Sequence, residues 1–497
     1  MRPSFLAILL LLSLFSFSAA GCAALSAERG AGKGTPTSFF ELPGALQKDP
    51  GSLRIEPLKF EPPEPRVEKL PNGMTVYLVP DRTVPLVQFH ALVSLGNLDD
   101  PPEKVGLTQV TWTTLQTGGA GTRSAEEVDR VLEDMAALVG ADAGDESADF
   151  AMESRTADFD KALALFVDLL RRPRFEPAAL ARVLDQGRDA VARRQDDAGH
   201  VAQVSFVQAL WGVANPFARE PTLETLAAIT RDDLVELHRR AVVPGAIRLV
   251  VTGDIEPDLA LQKIAQQVAD WPAGTPLARK LPQAPPKKAR EVVIVPTSGA
   301  QAKIRLGHLG PARHDPRDYA VRLLDAVLGG GEGSSRLYSE IRDKRGLAYT
   351  VESSIGPGPV RGLVVLAADT KPENAREVIA RCIEEMEGIR GAKPPTEAEV
   401  ALAREAAINA YAFRFDTAPL AAYLRAQADQ QGYPADYFKT FRARLTAVTA
   451  EQVAAVAREV LDPGALEIVV VGDPERIGDL SEYGPVRTVY GGAKAGQ

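Results

Sequence analysis

Apolar residues recur along this chain at two spacings, and the change from one to the other divides it into elements. Thr75 to Val79 and Leu86 to Leu95 have the dense or alternating apolar pattern of strands. An Asn72-Gly73 pair just ahead of the first is a hairpin signal. Over 106–116, 124–138, 159–170 and 374–389 the apolar positions fall three and four apart, which predicts helices with one buried face. Strands punctuated by such helices predict an α+β class, each sheet mainly antiparallel and covered by helices on one side.

The pattern also repeats. TRDDLVELHRRAVVPGAIRLVVTGD runs from Thr230 to Asp254, and TAEQVAAVAREVLDPGALEIVVVGD from Thr449 to Asp473, at a constant offset of 219. Each begins with a threonine N-cap and a polar partner three residues on (Asp233, Gln452). Each breaks at Pro-Gly and ends in a β-branched strand. Two homologous half-units are expected, at 66–272 and 291–480, joined by the Pro- and Lys-rich linker 273–290 and followed by a tail over 481–497. A length of 497 residues agrees, since one hydrophobic core rarely grows that large.

Between Leu328 and Thr350 the chain reads LGGGEGSSRLYSEIRDKRGLAYT. Gly329, Gly330, Gly331 and Gly333 form a glycine-rich loop, and Leu337, Tyr338 and Ile341 have the spacing of a short helix. Gly346 ends it and a strand follows from Leu347. Arg342 then sits near a helix end and Tyr349 on a strand, so a guanidinium and a phenol beside a flexible loop are able to grip a carbonyl or an oxyanion. An ordinary helix-turn-strand with a solvated arginine has the same spacing.

Charge and the amino terminus narrow the setting. A net charge of -9 argues against nucleic acid as a partner, because phosphate contacts need clustered lysine and arginine. Residues 1–21 combine Arg2, an apolar run from Phe5 to Phe17 and small residues before Cys22, the pattern of an export signal. The small residues abutting Cys22 resemble a bacterial lipobox, which implies cleavage before Cys22, lipidation of its thiol and membrane attachment on the export side. Plain signal-peptidase cleavage near Ala20 is the alternative. With Cys22 lipidated, Cys382 would be the only cysteine left, and no internal disulfide could form. Ala23 lacks the acidic residue of inner-membrane retention, which favours the outer membrane. Residues 22–65 read as a flexible tether.

The run GGG-x-x-SSRL-x-x-x-IR-x-KRGLAY closely resembles the second-domain signature of the pitrilysin/insulinase (M16-type) family of zinc peptidases, the inverted zincins. LPNGMTVYLV and RRPRFEPAAL are further landmarks of that resemblance, which covers about Arg66 to Asp473. It implies that Arg342 and Tyr349 contact substrate and help stabilise a tetrahedral intermediate, with the glycines letting backbone amides approach a peptide. Active members carry His-x-x-Glu-His on a first-domain helix, two imidazoles holding zinc and the glutamate acting as general base. Here Gln109 and Thr113 stand at the histidine positions and Trp112 at the glutamate. His90, His200, His238, His308 and His314 include no pair four apart, and from Pro177 through Arg219 there is no glutamate to serve as distal ligand, only Asp189 near the right distance.

No catalytic residue and no metal site are therefore expected in this chain. The resemblance implies a non-catalytic subunit that completes the substrate site of a His-x-x-Glu-His partner. That partner would hold the zinc, and the substrates would be peptides or small unfolded proteins held as an added strand. A homodimer stays open, and the alternative function is a peptide-binding or scaffold lipoprotein with no role in proteolysis.

Overall fold

The computed structural model describes residues 61–490 apart from 332 and 416. Cys22, the export signal and nearly all of the tether lie outside the described residues. Order begins where the strand pattern begins. Strand β1 (Arg66–Lys69) turns through Asn72 and Gly73, at φ +96°, into β2 (Thr75–Pro80) as the expected hairpin. With β3 (Leu86–Val93), β4 (Leu138–Ala143), β5 (Ala148–Arg155) and β6 (Ile247–Gly253) they form a six-stranded sheet ordered β1-β2-β6-β3-β5-β4. Only β2 and β6 run parallel.

The second sheet repeats that plan. It comprises β7 (Glu291–Pro296), β8 (Ala302–Leu309), β9 (Ala348–Gly356), β10 (Leu363–Thr370), β11 (Glu467–Gly472) and β12 (Val486–Thr488), ordered β12-β7-β11-β8-β10-β9. β7 lies parallel to β11 as β2 does to β6. The repeated sequences occupy equivalent places. Helices Arg231–Ala241 and Ala450–Val460 each start with the expected capping box, in which the Thr230 amide donates to Asp233 Oδ2 (2.8 Å) and the Thr449 amide to Gln452 Oε1 (2.9 Å). Each leads through a Pro-Gly turn into a central strand, β6 or β11. The tail assignment needs correction at one point, since β12 adds to the second sheet beside β7.

One feature departs from two self-contained halves. Helix Ala198–Trp211 belongs by sequence to the first half, yet Val201, Phe206, Leu210 and Trp211 pack on Val293 and Val295 of β7 and Val469 and Val471 of β11. Reciprocally, helix Ala418–Gln430 of the second half lays Ala422 and Ala426 on Tyr77, Val79, Leu92 and Val250 of the first sheet. There the Tyr77 hydroxyl donates to Asp429 at 2.7 Å. Each half lends one helix to the other's sheet. Burying four large apolar side chains is worth roughly 6–12 kcal/mol as an upper bound, which is comparable to the stability of a whole domain. The exchange is integral to the fold rather than a loose docking.

The linker has no helix or strand, but it is not free of the body. Arg279 donates to Asp99 (2.9 Å) and to the Glu146 carbonyl (3.0 Å), and Lys288 donates to the Ala209 carbonyl (2.9 Å).

Candidate functional site

Arg342 and Tyr349 are brought together by two departures from regular geometry. Helix Asp318–Asp325 widens at its end, where the Gly331 amide reaches back five residues to the Ala326 carbonyl (3.1 Å). A second wide turn spans Tyr338–Asp343, closed by Lys344 N to Ser339 O at 3.0 Å. Such π-type turns are uncommon and are found at functional sites more often than elsewhere. Gly346, at φ +62°, then reverses the chain into β9.

β9 is one of the two outer strands of the second sheet, and among the described residues it pairs only with β10. Ala348 faces Thr370 and Thr350 faces Asp369, so Tyr349 has no partner and forms a β-bulge. A bulge re-aims a side chain. Tyr349 is 73% exposed, and its ring centroid lies 5.3 Å from the guanidinium carbon of Arg342. The Tyr338 ring centroid stands 4.8 Å from the same carbon. In the sequence Tyr338 stands out only as part of a helical spacing with Leu337 and Ile341. Its position one helical turn before Arg342 was the available signal.

The glycines divide into different roles. Gly329 and Gly330 lie in the first wide turn rather than in a loop. Gly329 is buried against β9, where a Cβ would sit 2.4 Å from the Ser353 amide nitrogen, so only glycine permits that approach. A Cβ on Gly330 would meet the Asp325 carboxylate at 2.8 Å. Gly331 closes the turn, and Gly333, at φ +69°, has open space around it. Under this turn Asp325 accepts a hydrogen bond from Ser353 Oγ of β9 (2.7 Å). Loss of solvent pushes its carboxyl up to about 7 despite the bonds from Ser353 and the Ile355 amide.

The helix at the expected zinc-motif position, Leu107–Thr117, has a different chemistry. Gln109 and Thr113 do stand one turn apart on one face. Gln109 Nε2 donates to Thr113 Oγ1 (3.2 Å), Gln109 Oε1 accepts from the Ala143 amide (3.2 Å), and Thr113 Oγ1 donates to the Gln109 carbonyl (3.0 Å). Trp112 is fully buried, and its indole N–H donates to the Asp149 carbonyl of β5 at 2.9 Å. These groups satisfy one another and the backbone, and they offer zinc neither an imidazole nor a carboxylate. The residues do not fit a catalytic zinc ion. Asp189 lies exposed on helix Pro177–Arg193, and no group of three metal-binding side chains occurs among the described residues.

Four of the five histidines are held in structural contacts. His90 contacts Asp149 (3.3 Å), His238 donates to the Leu170 carbonyl (2.9 Å), His308 Nε2 accepts from the Asp462 amide (2.9 Å), and His314 donates to the Gln431 carbonyl (3.0 Å). Burial holds His238 and His308 below the usual imidazole range. His200 lies exposed near the start of helix Ala198–Trp211.

The model of the insulinase domain, peptidase family M16, matches residues 76–211, and that of the peptidase M16 inactive domain matches 228–407. The chain belongs to the M16 family. Among curated relatives, a Streptomyces coelicolor protein called an uncharacterized zinc protease is 25% identical over 64% of this chain and 71% of its own length. A Helicobacter pylori protein called a non-peptidase homolog is 27% identical over 52% of this chain and 59% of its own. The crystal structure of a peptidase M16 inactive domain from Pseudomonas fluorescens superposes with a TM-score of 0.73 at 24% identity, covering 83% of this chain and 98% of that one. A protease from Helicobacter pylori superposes with a TM-score of 0.71 at 17% identity, covering 82% and 99%. This M16 chain thus has both family domains and the two-sheet α+β fold. Its Arg342 and Tyr349 side chains lie together, and helix Leu107–Thr117 carries no imidazole and no carboxylate.

Proposed function

We propose that this M16 chain is the non-catalytic subunit of a two-chain zinc peptidase, completing the substrate site of a partner that bears His-x-x-Glu-His and holds the metal. The carrying observation is the asymmetry between its halves. Gln109, Trp112 and Thr113 are packed as structure, whereas Arg342 and Tyr349 are assembled beside the outer edge of β9, with Tyr349 open to solvent. The inactive-domain match and the name of the Helicobacter pylori relative support a non-catalytic M16-like protein. β9 pairs with a strand on one side only; Asp325 takes the Ile355 amide on its other edge, and the stretch towards Tyr349 is the part left for an extended peptide.

Substrates in this reading are peptides or small unfolded proteins in the bacterial envelope, reached by a chain anchored through lipid on Cys22. Replacing Cys22 with serine should abolish labelling by radioactive palmitate, and persistent labelling refutes the anchor. The function itself is tested by mixing the purified chain with a His-x-x-Glu-His homologue from the same genome and following a quenched peptide. Activity should need both chains, and Arg342→Ala or Tyr349→Leu should lower turnover roughly 10- to 1000-fold, the effect of losing one transition-state donor. Unchanged turnover in an intact complex overturns the shared site.

A further inference from the structure

Arg342 differs from every other cation in its own segment. Arg336 donates to Glu399 and to the carbonyls of Lys393 and Pro394, while Lys344 and Arg345 both reach Glu340. Arg342 has no ion pair and no hydrogen-bond acceptor among the described residues, so its five N–H donors are unengaged. What holds it is aromatic. The guanidinium lies 4.8 Å from the Tyr338 ring centroid and 5.3 Å from that of Tyr349, contacts that restrain the plane of the fork without using its donors. A cation positioned in this way, half-buried and with no counterion among the described residues, is prepared for an anion from outside the chain. A planar fork matches a carboxylate in bidentate fashion.

The adjoining edge of β9 determines what kind of molecule brings that carboxylate. An extended peptide paired to β9 on the Tyr349 side of the Ile355 amide, which Asp325 occupies, would end or turn at the Tyr349 bulge, where regular pairing is already interrupted. We propose that Tyr338, Arg342 and Tyr349 form a carboxylate clamp selecting peptides that present an anionic group, a C-terminal carboxylate or an acidic side chain, at the Tyr349 end of β9. Tyr338 is a positioning residue in this clamp. The inference rests on the strand-addition reading above and adds to it a substrate class.

The test uses the purified chain and one fluorescein-labelled decapeptide in three forms, with a free C-terminal carboxylate, with a C-terminal amide, and with the amide plus an aspartate near the terminus. Fluorescence anisotropy should show the free acid binding roughly 10- to 100-fold tighter than the amide, the range of a charge-assisted bidentate pair. Arg342→Gln should abolish the difference. Tyr338→Leu should reduce it, and Tyr338→Phe, which keeps the ring, should retain it. Unchanged thermal melting of the Tyr338 variants separates this effect from misfolding. If the aspartate form matches the free acid, the clamp reads side-chain carboxylates as well; if it matches the plain amide, the clamp reads chain ends. Equal binding of all three forms overturns the clamp and leaves strand addition standing. Binding of none overturns both, and a full preference retained in Tyr338→Leu removes Tyr338 from the clamp.

Discussion

Restoring the zinc motif on helix Leu107–Thr117 should break the protein rather than activate it. The decisive substitution is Trp112→Glu. Trp112 has no exposed surface, and its indole N–H satisfies the Asp149 carbonyl on β5. Truncating a buried tryptophan costs about 3–5 kcal/mol, and a carboxylate left unpaired in that space costs several more. Together these amount to roughly 6 kcal/mol or more, against a total of about 5–15 kcal/mol for a typical domain. Trp112→Phe keeps most of the volume and loses the indole bond, so its cost should stay within roughly 1–3 kcal/mol. Circular dichroism melts should rank the parent above Trp112→Phe and both well above Trp112→Glu. The triple variant Gln109→His, Trp112→Glu, Thr113→His should carry no stoichiometric zinc by atomic absorption. A triple variant that melts within about 2 °C of the parent and binds one zinc would refute the reasoning, because it would mean that the helix face is an emptied metal site and not a repacked one.

The remaining predictions concern the second domain. Because burial raises the Asp325 carboxyl to about 7, the folded chain keeps this proton at pH values where the unfolded chain, near 3.8, has lost it. Its contribution is fully present below about pH 4 and is lost as pH rises through about 7. Asp325→Asn should therefore flatten the stability profile between pH 4 and 7 and be no less stable than the parent at pH 8. Urea titrations at pH 5 and 8 check this, and an unchanged slope would show that Asp325 is not the titrating group. The reconstitution with Arg342 and Tyr349 variants, palmitate labelling of Cys22 and the three-peptide comparison complete the set.

Most of the fold was legible because local signals agreed with one another. The Thr230 and Thr449 caps, the Pro-Gly turns and the β-branched strands after them fixed equivalent elements at one offset, and all were found in place. The exchange of helices was not legible. Val201, Phe206 and Leu210 show that one face of their helix is buried, but periodicity carries no record of which sheet buries it. The pairing of Arg342 with Tyr349 was readable from helix-turn-strand spacing. The Tyr349 bulge was not, since it depends on Ala348 and Thr350 finding register with Thr370 and Asp369, residues distant in sequence. The glycine run misled for a similar reason. Gly329 reads as a flexible joint in one dimension and is a point of close packing in three.

The reciprocal helices have a consequence during synthesis. The first sheet can close its strands once β6 has left the ribosome, yet Tyr77, Val79, Leu92 and Val250 receive Ala422 and Ala426 only after the stretch from Gly253 to Ala418 has been made. At ordinary elongation rates that wait is on the order of ten seconds or more. Throughout it an apolar sheet face stands open, an invitation to chaperones and a hazard of mispairing with another nascent copy. Either half made alone would have the same defect permanently, lacking the helix that covers its sheet and carrying one with no sheet to cover.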